Sequence, residues 1–300
     1  KPVLNVASGD EVTIETVSGG ADVVPDRSKF HVPPELDDIH AKSERMVPGH
    51  ILTGPIAVAG AEPGDVLEVD ILDVQLRQDW GYNLIKPLSG TLPDDFHETR
   101  VLNIPLDRAR MVGRMPWGLD LPLKPFFGVM GVSPPPAWGR ISSLIPRAMG
   151  GNLDNKELGA GAKLYLPVFV PGALFSCGDG HGVQGDGEVC GTAIESRMNA
   201  VVTLDLIKGE KLAAPRFSTP GPVTRHLDGT GYEAFTGIGP DLMQAARGAV
   251  SSAIDWLCRE HRMPAEQAYM LCSVCGDLRF SEIVDLPNWV VSFYVPKVVF

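Results

Sequence analysis

The chain has 300 residues, 44% hydrophobic and 21% charged, which is enough apolar material for a substantial core in a globular protein. A formal net charge of −11 with no basic stripe excludes nucleic acid and anionic membranes as main partners, because phosphate binding needs clustered Lys and Arg. No run of about 18 apolar residues is present to span a membrane, and five cysteines, an odd number, suit a reducing compartment, the cytoplasm by default, better than a disulfide framework.

The chain opens at Lys1 without Met and without a charged-then-apolar leader pattern, as expected of a trimmed start. Its 33 glycines and 26 prolines are spread along the length, the punctuation expected of many strands joined by turns. Glu11 to Thr16 alternates as a strand, with Val12 and Ile14 on one face. Asp37 and Asp38, beside His40, read as a solvated turn. After the turn at Pro63-Gly64-Asp65 comes a long strand in which Leu67, Val69 and Ile71 alternate with Glu68 and Asp70. Past Ile71 the phase slips by one, so that Leu72, Val74 and Leu76 become the apolar set. That slip predicts a β-bulge or bend at Ile71–Leu72.

From Pro116 to Pro146 the prolines, including the run Pro134-Pro135-Pro136, predict connection more than sheet, since proline lacks a ladder donor. Ser142-Ser143 invites comparison with a Ser-Ser-Lys nucleophile, but the Gly- and Ser-rich surroundings of such a serine are missing. Leu164 to Val170 is apolar on both faces and reads as a buried strand. Val189 to Ile194 and Val201 to Ile207 continue the β character.

The last quarter changes period. Leu242, Ala245, Ala246, Ala249, Ala253, Ile254 and Leu257 recur at helical spacing, with Pro240 suited to the first turn. A second helix is expected from Pro264 to Gly276, burying Ala268, Leu271, Cys272 and Cys275; its lone C-x-x-C is better read as packing than as a zinc site. Arg279 to Val284 and Trp289 to Val295 close the chain as strands. The expected organisation is a mainly β fold with a smaller C-terminal α+β lobe: a β region over 1–145, a β region carrying the Gly-rich loop over 146–225, and the α+β lobe over 226–300.

The chemistry concentrates in Gly178-Asp179-Gly180-His181-Gly182-Val183-Gln184-Gly185-Asp186-Gly187-Glu188. Five glycines in eleven residues prevent a regular helix and permit positive φ and close backbone approach. If the flanks are extended, Asp179 and His181 point the same way, as do Asp186 and Glu188. Converging oxygen and nitrogen groups on such a ribbon suit metal ligation or proton transfer. A divalent ion held by Asp179 and His181 would activate water and stabilise an oxyanion, and Glu188 would take up and return a proton, a role open also to Asp186 or Glu195. No Gly-Lys-Ser/Thr follows, so this is no P-loop, and no organic cofactor is expected. Cys190, two residues past Glu188, offers a rival thiolate nucleophile.

The block from Gly150 to Ser196 closely resembles the acetamidase/formamidase family, and Met46 to Ile71 and Cys272 to Lys297 resemble that family's N- and C-terminal segments in the same order. The stretch GD-x-H-x-x-QGDGE is long enough to be specific. The resemblance implies hydrolysis of the carbon–nitrogen bond of a small linear amide such as formamide or acetamide, a β-sandwich-like fold, and homo-oligomers. It also implies a bound divalent metal, zinc or possibly calcium.

On the family pattern Asn152, Asp154, Asp179, His181, Gln184, Asp186 and Glu188 match position by position. His50, in Pro48-Gly49-His50, stands where the family often carries histidine and is a candidate third ligand beside Asp179 and His181. Glu188, Asp186 and Asp154 are then the candidate catalytic carboxylates, and Asn152 and Gln184 the candidate substrate-binding groups. The remaining rival is a non-enzymatic β-sandwich that binds a metal or small ligand. Choosing formamide over acetamide turns on one methyl group, worth about 1–3 kcal/mol, which leaves substrate size open.

Overall fold

The computed structural model describes the chain except residues 45, 90–96, 117–119, 185–187, 189–190, 222, 224–229, 265–267, 269–276 and 298–299. The N-terminal part forms β1 (Leu4–Val6), β2 (Asp10–Glu15), α1 (Pro34–Lys42), β3 (Leu52–Val58), β4 (Val66–Leu76), β5 (Trp80–Ile85), β6 (Arg100–Asp107), β7 (Val112–Arg114) and β8 (Asp120–Pro122). The middle contributes β9 (Phe126–Gly131), β10 (Gly150–Asn152), β11 (Lys163–Pro167), β12 (Phe175–His181), β13 (Met198–Ile207) and β14 (Arg216–Thr219). The chain ends with β15 (Tyr232–Gly239), α2 (Leu242–Glu260), β16 (Asp277–Glu282) and β17 (Trp289–Pro296).

The strands make three sheets: β1-β3-β12-β9-β10, β16-β17-β15-β14-β11-β4-β13-β2, and β5-β6-β7-β8. Only β1 and β3 pair in parallel among the described strands. The first two sheets face each other across one core. Ile56, Val58, Phe127, Met130 and Phe175 of the five-stranded sheet share a buried cluster with Leu67, Val69, Leu164, Leu166, Val202 and Leu204 of the eight-stranded one. Burying side chains from two inner faces is what makes a β-sandwich, and the fold is mainly β as the alternating sequence implied.

The phase slip in β4 is a bulge. Val201 pairs with Asp73 and Val202 with Ile71, leaving Leu72 as the extra residue. Val74 and Leu76 turn inward after it, whereas Leu72 itself is 45% exposed and does not join their face. The inner edge of β4 at this point is closed by a loop: Ile71 N donates to Ala162 O and Gly161 N to Ile71 O.

Other expectations are corrected. The proline-rich stretch contains β9, a strand buried along its whole length between β12 and β10; its prolines bracket the strand and do not interrupt it. Asp37 and Asp38 lie in α1, which starts at Pro34, and not in a turn. Residues 191–194 form no strand. Pro240 precedes the N-cap of α2, a position taken by Asp241, whose side chain accepts from Gln244 N at 2.8 Å. The second helix from Pro264 to Gly276, with Cys272 and Cys275, lies outside the described residues apart from Pro264 and Ala268.

The small residues of α2 have a steric reason. A Cβ on Gly237 of β15 would sit 1.8 Å from Ala245 O, so helix and strand meet backbone to backbone. Ala249, Ala253 and Leu257 bury against Phe235, Phe293 and Val295. The strands after residue 226 belong to the same eight-stranded sheet as β2, β4 and β13, and the turn between the last two of them reaches the site described next.

Candidate active site

Strand β12 runs between β3 and β9, and its glycines are there because the neighbours come too close for a side chain. A Cβ on Gly178 would lie 2.4 Å from Ile51 O, and one on Gly180 would lie 2.6 Å from Ser196 O. The residues between and after them, Asp179 and His181, turn to one face, as a period of two requires. The left-handed conformation expected of the glycines falls instead on acidic residues: φ is +56° at Asp179, +42° at Asp154 and +46° at Glu188. Non-glycine residues held there cost about 1–3 kcal/mol each, a strain that collects at functional sites. Here all three side chains converge on one ring.

That ring is His181, 1% exposed. Its Nε2 lies 3.3 Å from Asp179 Oδ2, 3.3 Å from Glu195 Oε2, 3.8 Å from Glu188 Oε1 and 4.0 Å from Asp154 Oδ1. Its Nδ1 lies 2.8 Å from Gln184 Oε1. Gln184 Nε2 donates to Asp154 O at 2.7 Å, which turns the carbonyl end of the amide toward the ring and makes Nδ1 the donor. The other nitrogen, Nε2, is therefore aimed at the carboxylates. Phe126 packs edge-on against the imidazole, with ring centroids 5.0 Å apart.

Each carboxylate is delivered by a different piece of backbone. Asp154 follows β10, and Gly128 O on β9 accepts from the amides of Leu153 and Asp154 at 2.9 and 3.2 Å. Gly128 is a cradle, since a Cβ there would stand 2.5 Å from both Asp154 Oδ1 and Asp179 Oδ2. Glu195 forms isolated bridges to Tyr82 of β5 and to His181 of β12, spanning two sheets. Its Oε1 accepts from Ala193 N at 2.9 Å, leaving Oε2 for the ring.

Four buried carboxylates around one imidazole cannot all be ionised without a further positive charge. Burial opposes a charged His181, but the Glu195 and Asp179 carboxylates outweigh it and hold the ring protonated well above its ordinary range. Burial pushes Glu188 and Asp154 well up, and Glu195 up as well. Burial works the same way on Asp179, yet His50 and His181 overcome it and keep this carboxyl below its ordinary range.

The cluster fits a metal ion. Asp154, His181 and Glu188 bring one ligand atom each within 4.8 Å of one another, and so do Asp179, His181 and Glu195. Asp154 Oδ1, His181 Nε2 and Glu195 Oε2 are buried with no hydrogen-bond partner. Buried lone-pair atoms left without partners in this way are what a cation satisfies, taking the place of the proton on the ring.

The cluster forms one wall of a cavity of about 330 Å³, lined by His50, Tyr82, Asn152, Asp154, Asp179, Glu188, Glu195 and Asp285 among others. His50 Nε2 is 3.5 Å from Asp179 Oδ2, and its Nδ1 is 3.1 Å from Ser143 Oγ. Asn152 Nδ2 donates to Asp154 Oδ2 at 2.7 Å and also to Asp285 Oδ2. Of the residues singled out in the sequence, Asn152, Asp154, Asp179, His181, Gln184, Glu188 and His50 thus come together. Asp186 and Cys190 lie outside the described residues.

Sequence reasoning gave Glu195 only a substitute's part, although it stands nearer the ring than Glu188. It missed Tyr82 and Asp285 altogether. Nothing in the spacing of either links it to the Gly-rich segment; both arrive through tertiary pairing.

Carboxyl groups gathered around one imidazole and facing a cavity open to small molecules suit acid–base or metal-assisted chemistry. Comparison with known proteins names the kind. The Acetamidase/Formamidase family model matches residues 1–143 and 141–300. The chain is 32% identical over 319 residues to a formamidase from Methylophilus methylotrophus, covering 84% of this chain and 77% of that protein. It superposes on an acetamidase from Yersinia enterocolitica with a TM-score of 0.83 at 31% identity, covering 100% of this chain and 86% of that one. A γ-lactamase from Delftia acidovorans is similar at a TM-score of 0.62 and 26% identity, covering 100% and 87%. The chain belongs to the acetamidase/formamidase family and is a hydrolase acting on carbon–nitrogen bonds in linear amides.

Proposed function

We propose that the chain hydrolyses a small aliphatic amide, formamide or acetamide, in the cavity beside His181, releasing ammonia. The observation that carries this is geometric: Asp154, Asp179, Glu188 and Glu195 gather within 4.0 Å of the His181 ring on the wall of one cavity. Glu188 takes a proton from water as the water oxygen adds to the amide carbon, and returns it to the nitrogen as the C–N bond breaks. Its place on the cavity wall, with Oε1 3.8 Å from His181 Nε2, sets one carboxylate beside both the water and the amide nitrogen. Asn152 and Asp154 orient the amide. Gln184, through the His181 Nδ1 proton, fixes the ring that the carboxylates surround.

Asp179 and His181, joined by Glu195 and by His50 from the cavity side, are the residues that would hold a divalent ion. Bound there, zinc or calcium supplies a Lewis acid for the carbonyl oxygen and for water. The imidazole leans toward zinc, whereas the carboxylates suit either ion. The enzyme is proposed to act in the cytoplasm as a homo-oligomer. Its two described cysteines, Cys177 and Cys258, are free thiols, as a reducing compartment favours. No helix among the described residues is long and apolar enough to cross a membrane.

The test is ammonia release by the purified protein from formamide, acetamide and larger amides, with and without a chelator, and with Cys190→Ala alongside. Activity on a linear amide that the chelator abolishes and Cys190→Ala preserves supports this reading. Activity that survives the chelator and vanishes with Cys190→Ala transfers the chemistry to a thiolate. Opening of γ-butyrolactam without ammonia release from any linear amide moves the substrate to cyclic amides.

A further inference from the structure

The cavity is rich in acceptors. Its lining includes the carboxylates of Asp22, Asp154, Asp179, Glu188, Glu195 and Asp285. Four of these, Asp154, Asp179, Glu188 and Glu195, face the His181 ring within 4.0 Å. Asp22 lies on the exposed rim, 4.0 Å from Lys86 Nζ. Asp285 is left, on the wall but outside the circle around the ring.

Its position is built. Glu282, at the end of β16 and fully buried, receives the backbone amides of Val284 and Asp285 on Oε1. Asn288, on the far side of the same turn, donates to Pro146 O at 3.2 Å and ties the turn to the segment before β10. Asp285 Oδ2 then accepts from Asn152 Nδ2. Both hydrogens of that amide are committed, one to Asp154 and one to Asp285. Asn152, 3% exposed and on the cavity wall, therefore fixes the Asp285 carboxylate and is itself held in place by Asp154.

We propose that Asp285 accepts an N–H group of the substrate and is the residue that sets how strongly the enzyme prefers an unsubstituted amide over its N-alkylated form. An unsubstituted amide carries two N–H donors and one carbonyl acceptor. Against a wall of carboxylates its nitrogen turns to the acceptors, and its carbonyl turns to the side where His50 stands. A methyl group on that nitrogen removes one donor and presses an apolar group on a buried acceptor, which a site built for hydrogen bonds penalises. The inference deepens the proposed amide hydrolysis and rests on it.

The experiment compares acetate release from acetamide and from N-methylacetamide by the wild type, Asp285→Ala and Asp285→Asn, with thermal melts to confirm folding. If N-methylacetamide is not turned over, its inhibition constant against acetamide takes the place of its kcat/KM. In Asp285→Ala, kcat/KM for acetamide is expected to fall about 10- to 100-fold, the loss typical of a charged hydrogen-bond partner. N-methylacetamide should lose far less, so the preference contracts by roughly tenfold or more. Asp285→Asn keeps the shape and one acceptor oxygen, and is expected to contract it partway; it decides the matter if the alanine variant does not fold. Equal losses on both substrates, or none, overturn the role of Asp285 while leaving the hydrolase standing. A wild type inactive on acetamide and formamide overturns both.

Discussion

Replacing Gly128 by alanine puts one methyl group into the middle of the proposed ligand set. Gly128 does not occupy the left-handed region, so the backbone tolerates the change, and the consequence comes from space alone. The new Cβ would stand 2.5 Å from Asp154 Oδ1, 2.5 Å from Asp179 Oδ2 and 3.0 Å from His181 Cε1. Ordinary contact lies at about 3.5–4.0 Å, so two carboxylate oxygens must each retreat by roughly 1 Å. Neither has room. Asp179 is pinned by β12 between its neighbours, and Asp154 hangs from Gly128 O through its own amide. Overpacking of this kind costs about 1–3 kcal/mol of stability, and a misplacement of about 1 Å among reacting groups costs roughly 10²-fold in rate. The assay is kcat/KM for amide hydrolysis, with metal content and a thermal melt on the same sample. A folded Gly128→Ala protein with wild-type kcat/KM would refute the claim that these three residues act as one site.

Gly248 offers the contrasting case, because a Cβ on it would meet only Gly237 Cα at 3.6 Å; Gly248→Ala on α2 is expected to raise stability by up to about 1 kcal/mol through helix propensity and leave turnover unchanged, measured by urea unfolding and ammonia release. Glu282 is pushed by burial and by the Asp285 charge from its ordinary 4.5 up to about 8. The folded state therefore holds this proton where the unfolded chain has lost it, so stability should decline as pH rises from about 4.5 to 8. Glu282→Gln keeps the acceptor for Val284 and Asp285 and should flatten that decline in melts taken across the range; an unchanged slope would remove Glu282 as its source. Chelator treatment should lower the melting temperature together with activity, since the four carboxylates around His181 lose a counter-charge, and zinc or calcium added back should restore both.

Much of the mainly β fold was legible in the sequence because its information was local. The slip from Leu67, Val69 and Ile71 to Val74 and Leu76 marked the bulge in β4, and the alanine spacing after Leu242 marked α2. The strand β9 was hidden by the opposite cause. Its prolines lie outside the six residues that pair, and Phe126 to Gly131 carries no alternation because both faces are buried. The Gly-rich segment drew attention to Asp179, His181 and Gln184, and the structure gathers them with Asn152, Asp154 and Glu188. The glycines at 178 and 180 turned out to admit neighbouring backbone, with the left-handed geometry falling on Asp179 itself. Glu195 reaches the ring through single-residue bridges to β5 and β12, and Asp285 through a turn more than 100 residues downstream of Asp179. Contacts of that kind have no sequence period, and one chain read alone offers no signal for them.

The most direct measurement is kcat of Glu188→Gln on whichever amide the wild type hydrolyses fastest, with metal content determined on the same preparation. The change keeps the side chain's shape and removes its ability to take a proton from water. Turnover is expected to drop about 10²- to 10⁴-fold in a protein that still folds and whose metal content matches that of the wild type. Wild-type turnover in that variant would contradict the account, because the proton transfer would then belong to some other group.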